Sequence, residues 1–275
     1  MDESAFTYAD PADPLIKRLA INALEVATGR NRLRSLYFQH QASGWEGASF
    51  FDVAIKALSL DLRYDEQRLA ALPKQGPLVV VSNHPFGVLD GIVMCALMRR
   101  ARPDFLVLTN AVLLRAPEMR DHMLPIDFAE TIEAQRANVV SRAKALAHLQ
   151  NGGCIVIFPA GAISTSPDRF GRLAAVDPPW TPYLARLVLS AGAPVVPIYF
   201  RGQNSRLFQI VSHISPTLRL ALFFHELSRR IGTRCEVEIG APIAFEQLAG
   251  FKDRKSLVSR LREATYSLRE SRRLA

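Results

Sequence analysis

His84 and Asp90 are the two side chains whose types and spacing offer chemistry in this sequence, and both lie in one stretch, Pro77 to Gly91, reading PLVVVSNHPFGVLDG. An imidazole close to a carboxylate is a general base with an orienter. The carboxylate accepts one ring N–H, fixes the tautomer and raises the basicity of the other nitrogen, which then takes a proton from a hydroxyl or a water. Neither a metal nor a cofactor is required for this. The same two residues also fit a histidine capping a turn beside an aspartate capping a helix. The surrounding strand, turn and helix, together with Gly87, weigh toward the base.

The elements that position the pair are legible around it. Val79 to Val81 is a β-branched run of the kind that forms a strand buried on both faces, and Asp90 stands where a helix N-cap is expected before the apolar segment Ile92 to Met98. That places the histidine at the carboxyl end of a strand, where open α/β sheets hold their ligands. Two further junctions repeat the pattern. Cys154 to Phe158, CIVIF, runs into Pro159-Ala160-Gly161-Ala162-Ile163-Ser164, and Val195 to Phe200, VVPIYF, runs into Arg201-Gly202-Gln203-Asn204-Ser205-Arg206. Helices and strands alternate through this part of the chain, which predicts parallel βαβ units. Gly161 and the amides around it suit an oxygen anion or an ordinary tight turn. Arg201 to Arg206 gathers guanidinium and amide donors suited to an anion, or forms a solvated loop. Pro197 predicts a strand start, an edge or a bulge.

Asn83-His84-Pro85-Phe86-Gly87-Val88-Leu89-Asp90-Gly91 resembles the histidine/aspartate signature of the glycerolipid and lysophospholipid acyltransferases, in the hemolysin-like branch where an NHPxGxLDG form occurs. The usual family spacing has four residues between His and Asp, and this chain has five, so a local bulge at Gly87 is expected to absorb one residue. Phe158, Pro159, Gly161 and Ser164 match the family's FPEGTRS or FPAGEVS motif, while Ala160, Ala162 and Ile163 occupy its polar positions. In relatives those polar residues help hold a phosphate-bearing acceptor, so their loss here points away from a simple glycerol-phosphate acceptor. Asp127-Phe128 stands where an arginine-bearing motif is often found and has no arginine beside it. Val195 to Phe200 is similar to the hydrophobic, proline-containing fourth motif that lines the acyl-binding region, and Gly202 to Phe208 to a GxNSRLF stretch.

The resemblance implies an α/β fold, a mostly parallel central sheet flanked by helices, preceded by amphipathic N-terminal helices. It implies an O-acyltransferase that moves a fatty acyl group from coenzyme A or acyl carrier protein to the hydroxyl of a lysophospholipid-like or other lyso-lipid. His84 would be the base and Asp90 its orienter, and amides near Gly161 would stabilise the oxyanion. Asn83, Gly161, Ser164, Pro197, Arg201, Asn204 and Arg206 would contact substrate. No cofactor is implied.

The chain carries 34 Lys and Arg against 26 Asp and Glu, an excess that suits an anionic lipid surface, an acidic carrier or nucleic acid. The basic residues do not interleave with aromatics in any nucleic-acid module, so no nucleic-acid partner is expected. Cys95, Cys154 and Cys235 lack ligand spacing, which predicts reduced, buried thiols in a cytosolic setting. His40, His122, His148, His213 and His225 show no zinc-enzyme spacing, and GxSxG, P-loop and Rossmann fingerprints are absent from the sequence. No run approaches the roughly 18 apolar residues needed to cross a bilayer.

The expected organisation is an acidic leader over 1–14, an amphipathic helical region over 15–75 and the acyltransferase domain over 76–275. Leu15, Ile16, Leu19, Ala23, Val26 and Ala27 share one helical side, which suits a membrane interface as well as a cover for the sheet. Trp45 to Asp61 is a further apolar helix, and Ala111 to His122 another. Glu130 to Gln150 is expected to turn Val139, Val140, Ala143, Leu146 and Leu149 inward. A basic helix over Lys252 to Arg273 suits solvent, anionic head groups or an acidic carrier. These features predict a cytoplasmic protein, peripheral on the inner face of the membrane. A catalytically inactive lipid-binding or scaffold protein on the same fold is the alternative, motivated by the lost polar residues and the extra residue before Asp90.

Overall fold

The computed structural model describes residues 7, 14–27, 29–42, 49–111, 117–251 and 253–270. The acidic leader apart from Thr7 and Pro14, the start of the expected Trp45 helix, 112–116 and the last five residues lie outside them. Seven strands form one sheet: β1 Asp61–Tyr64, β2 Leu78–Ser82, β3 Phe105–Asn110, β4 Met123–Ile126, β5 Cys154–Ile157, β6 Val195–Phe200 and β7 Arg234–Ile239. Their order is β1-β7-β6-β2-β5-β3-β4. The strands from β6 to β4 run parallel, while β7 joins β6 antiparallel and β1 follows β7. The carboxyl ends of β2, β5 and β6 therefore meet on one edge, and the three junctions singled out in the sequence come together there.

The sheet starts earlier than expected, since β1 lies ahead of residue 76 and pairs with β7 along its whole length. Leu60, Leu62 and Tyr64 alternate with Asp61 and Arg63 and pack on the core, but the strand is only four residues long, a period too short to stand out beside the longer apolar runs.

β2 is the most enclosed strand because both sides of it are covered. Leu78 and Val80 face the layer containing α5, Val88–Ala101, while Val79 and Val81 face α7, Tyr183–Ala191. Helix α5 is buried almost all round, from Ile92 to Met98, being wedged between the sheet and α3, Phe50–Ala57. This accounts for a segment that is uniformly apolar rather than striped. Gly192, at φ +60°, closes α7 in the left-handed conformation typical of a helix C-terminus.

Pro197 sits mid-strand in β6, between β2 and β7. From Ile198↔Ile239 to Val195↔Ile243, β6 advances three residues while its partner advances four, so an extra residue bulges opposite the proline. The missing proline N–H thus falls where ladder pairing is already broken. Gly240 fits there because a Cβ would lie 2.7 Å from Pro197 Cγ. Pro197 is thereby a buried sheet residue, paired beside Val81, and not an exposed wall of a substrate groove.

Helix α6, Ile132–Gln150, presents only part of the expected face. Ala134, Ser141, Ala145 and Leu149 are buried, whereas Val139 and Val140 are 65% and 54% exposed. Small residues let the helix lie close on β4 and the sheet; of the expected stripe Leu146 and Leu149 pack inward, while Val139, Val140 and Ala143 face outward. A 3-10 turn at Pro117–His122 replaces the end of the expected helix from Ala111.

Two N-terminal helices, α1 Leu15–Ala27 and α2 Arg30–Ala42, lie beside this core. Helix α1 packs on α2 and on α9, Pro216–Ala221, rather than on the sheet. Leu15, Ile16 and Leu19 stay more than half exposed. No helix among the described residues is long and apolar enough to cross a membrane.

Candidate active site

The turn after β2 is built from local backbone demands. Asn83 clamps it to the end of β6: its Oδ1 accepts from the Phe200 amide at 2.7 Å and its Nδ2 donates to the Phe200 carbonyl at 3.0 Å. With both amide atoms engaged, Asn83 holds the strand end. Gly87 adopts φ +78°, ψ −116° and is the residue at which α5 begins. That conformation absorbs the extra residue between His84 and Asp90, because glycine alone enters it without strain. Asp90 is therefore not the N-cap. It stands three residues inside the helix and reaches back, its Oδ2 accepting from the Phe86 and Gly87 amides at 2.8 and 3.0 Å.

The same oxygen lies 2.9 Å from His84 Nδ1. The ring N–H stands off the ideal hydrogen-bond line, since Oδ2 already receives two amides. Asp90 is fully buried, and burial pushes its carboxyl above the ordinary carboxylate value, while His84 and the two amides pull in the opposite direction. Its position at a helix N-terminus also favours the charged form. The His84 side chain keeps 20% exposure and packs on Phe158, ring centroids 4.3 Å apart. Nδ1 faces Asp90, and Nε2 is the nitrogen left for a reacting group. Arg230 covers the far side of the turn, its guanidinium 3.9 Å from the centre of the Phe86 ring.

Asp177, from the loop before α7, holds the second junction against the first. Its Oδ1 accepts from the His84 amide at 3.1 Å and from the Ser164 hydroxyl at 2.5 Å, and its Oδ2 accepts from Trp180 Nε1 at 2.8 Å. The Ser164 amide in turn donates to the His84 carbonyl at 2.8 Å. This buried carboxylate positions the backbone on both sides of the imidazole. In the sequence Asp177 falls in the polar, proline-bearing loop Thr165 to Pro179, which suits a cover for the groove or a plain connection, and has no role of its own. Its one signal is an acid enclosed in an apolar, proline-rich run, AAVDPPW.

Three other expected contacts are spent inside the protein, and Arg206 is engaged only through Nε. The Gly161 amide donates to Phe158 O at 3.0 Å, so it closes a turn and is not free for an oxyanion. Ser164 is committed to Asp177. Arg201 pairs with Glu238 at 2.7 Å and donates to the Arg269 and Leu268 carbonyls at the end of α12, Arg254–Ser267. The expected anion donor is therefore a brace between β6, β7 and α12. Arg206 donates to the Phe170 carbonyl at 2.9 Å. Asn204 is buried beside them, with neither side-chain polar atom partnered.

On the other side of Phe158 a mostly apolar groove opens at the carboxyl ends of β3, β4 and β5. Leu108, Ile126, Phe128, Phe158 and Tyr183 line it together with Arg142, whose guanidinium lies 5.0 Å from the centre of the Tyr183 ring. Phe158 is thus shared between the groove and the imidazole. The arrangement offers a base for a hydroxyl or water beside a slot suited to hydrocarbon.

Comparison with known proteins finds acyltransferases. A family model described as acyltransferase matches residues 45–274. The chain is 23% identical over 248 residues to a lyso-glycine lipid O-acyltransferase of Bacteroides thetaiotaomicron, covering 84% of each protein. It is 23% identical over 237 residues to a lyso-glycine lipid O-acyltransferase of Phocaeicola vulgatus, covering 81% of this chain and 78% of the other. In fold it resembles the crystal structure of the 1-acyl-sn-glycerophosphate acyltransferase PlsC from Thermotoga maritima, with a TM-score of 0.52, 18% identity, and coverage of 81% of this chain and 77% of that one. With the family matched over most of the chain and the sheet in place, the protein belongs to the acyltransferase family.

Proposed function

We propose that this acyltransferase moves a fatty acyl group from an acyl thioester, on coenzyme A or acyl carrier protein, to the hydroxyl of a lyso-lipid acceptor. The observation that carries the reading is the 2.9 Å approach of His84 Nδ1 to a buried Asp90 at the carboxyl end of β2. His84 Nε2 takes the acceptor hydroxyl proton as that oxygen attacks the thioester carbonyl. The tetrahedral intermediate collapses with loss of the thiolate, and the imidazolium returns the proton to the sulfur. Asp90 holds the ring in the tautomer that leaves Nε2 unprotonated at the start.

Transfer is direct in this reading, without an acyl-enzyme. The three cysteines are buried, and burial pushes Cys154 and Cys235 up to about 12, far from a nucleophilic thiolate. The groove beyond Phe158 receives the hydrocarbon of one substrate. Two lyso-glycine lipid O-acyltransferases among the relatives, and apolar residues at 160, 162 and 163, support an acceptor other than a simple glycerol phosphate.

The exposed face of α1, with Leu15, Ile16 and Leu19 outward, supports peripheral attachment to the inner face of the membrane. The 2.9 Å approach of His84 to Asp90 across Gly87 supports the active reading over the inactive scaffold, whose remaining motive is the lost polar residues. The test is mass-spectrometric detection of a diacylated product from purified protein, acyl thioester and lyso-lipid. His84→Ala is expected to lower turnover by about 10³-fold or more with an unchanged melting curve. Full activity in that variant would remove the mechanism.

A further inference from the structure

Arg219, on α9, donates through Nη2 to the carbonyl oxygen of Ile163 at 2.7 Å. Its guanidinium lies over the Phe208 ring, 5.4 Å from the centroid. Burial alone shifts this side chain, holding it below the ordinary arginine value, and among the described residues no carboxylate offsets the cost. A half-buried cation is normally matched by an acid or by a ligand. Nε and Nη1 donate to no acceptor among the described residues, so most of the planar fork is unspent.

The placement connects this charge to the proposed reaction centre. The side chain of Ile163 reaches the turn that holds His84 and Asp90. A Cβ on Gly87 would lie 2.6 Å from Ile163 Cδ1. The loop from Phe158 to Ser164 lacks a cation of its own, and α9 delivers one to its backbone from 56 residues further along the chain.

We propose that Arg219 is the specificity-determining cation of the acceptor site and binds the oxyanion, carboxylate or phosphate, of the lyso-lipid head group. The proposal rests on the acyl-transfer reading of His84 and Asp90. A guanidinium fork matches either oxyanion with paired, charge-assisted hydrogen bonds, which places the acceptor by its head group while its hydroxyl meets His84.

The test compares wild type, Arg219→Gln and Arg219→Lys on two matched pairs of lipids: an N-(hydroxyacyl)glycine with its methyl ester, and lysophosphatidate with monoolein. Arg219→Gln is expected to raise KM for the charged member of at least one pair by about 10- to 100-fold. The neutral members and the KM for acyl-CoA stay unchanged, and Arg219→Lys recovers part of the loss. Equal losses on charged and neutral lipids, or a shift in donor KM instead, overturn the proposal. Calorimetric titration of the same lipids without acyl donor separates the two readings. A preference for acid over ester that Arg219→Gln abolishes supports the head-group site even where no acceptor turns over, an outcome that counts against the transfer reading. Equal binding of acid and ester by wild type overturns the site.

Discussion

The turn after β2 and the turn after β5 face each other across one hydrogen bond, Ser164 N to His84 O, yet they are built on opposite plans. In the first, two amides and an imidazole converge on one buried carboxylate oxygen, and a single ring nitrogen is left over. In the second, Gly161 N closes on Phe158 O and Ser164 Oγ closes on Asp177, so its polar atoms serve the fold. Reactive groups are concentrated in one turn, and the other supplies a wall, Phe158, and a strut, Asp177. Proton transfer and recognition can then vary separately on one scaffold, since a motif can lose its polar side chains while the dyad beside it stays intact.

Asp90→Asn should break the first turn most severely. The amide preserves size but presents the wrong partner to Nδ1, and turnover is expected to fall about 10³-fold, which steady-state kinetics would measure. The same variant has a stability signature. Burial raises the Asp90 carboxyl, so the folded chain keeps a proton that the unfolded chain has already released. Wild type therefore loses stability as pH rises from the ordinary carboxylate range through the raised value, and Asp90→Asn lacks that decline. Urea midpoints for both proteins between about pH 4.5 and about pH 7.5 would show the gap moving in favour of the variant; a gap independent of pH would refute the raised affinity.

Asp177→Asn tests the strut. One acceptor of the carboxylate is replaced by a donor facing the His84 amide, Ser164 or Trp180, at an expected cost of about 2 kcal/mol and about 30-fold in turnover through displacement of His84. An unaltered rate in a folded variant would show that the second turn does not position the first.

The smallest effects come from one substitution made in both turns. Gly87→Ala meets Ile163 Cδ1 at 2.6 Å and forces alanine to φ +78°, so about 2 kcal/mol and about 10-fold in rate are expected. Gly161→Ala meets Phe128 only at 3.6 Å, an ordinary contact, and carries the strain of φ +66° alone. About 1 kcal/mol, with activity within about 3-fold of wild type, is expected there. Equal rate losses at the two glycines would mean that the second turn takes part in the chemistry.

Much of the scaffold is legible along the chain. Apolar runs mark β2, β5 and β6, glycine and proline mark the junctions, and alternation with helices marks parallel pairing. The His84 to Asp90 turn is legible too, because its determinants are short-range: a glycine able to take positive φ and an acid three residues into a helix. The inward face of α6 is legible only in part, since Ala134, Ser141 and Ala145 are chosen by close approach to the sheet rather than by hydrophobicity. Strand β1 is not legible, because its alternation runs over only four residues and its partner β7 lies far along the chain.

For the functional residues the division follows the same distance. Sequence alone determined the dyad and the family motifs around it, through interactions that span a few residues. Only the tertiary structure decided that Asn83 is tied to Phe200, His84 to Asp177, Arg201 to Glu238 and Ile163 to Arg219, across separations of 117, 93, 37 and 56 residues. A polar side chain is available to a ligand only when no nearer group has satisfied it. Which group is nearest is a property of the packed chain, and it is set by contacts that no local pattern of residues encodes.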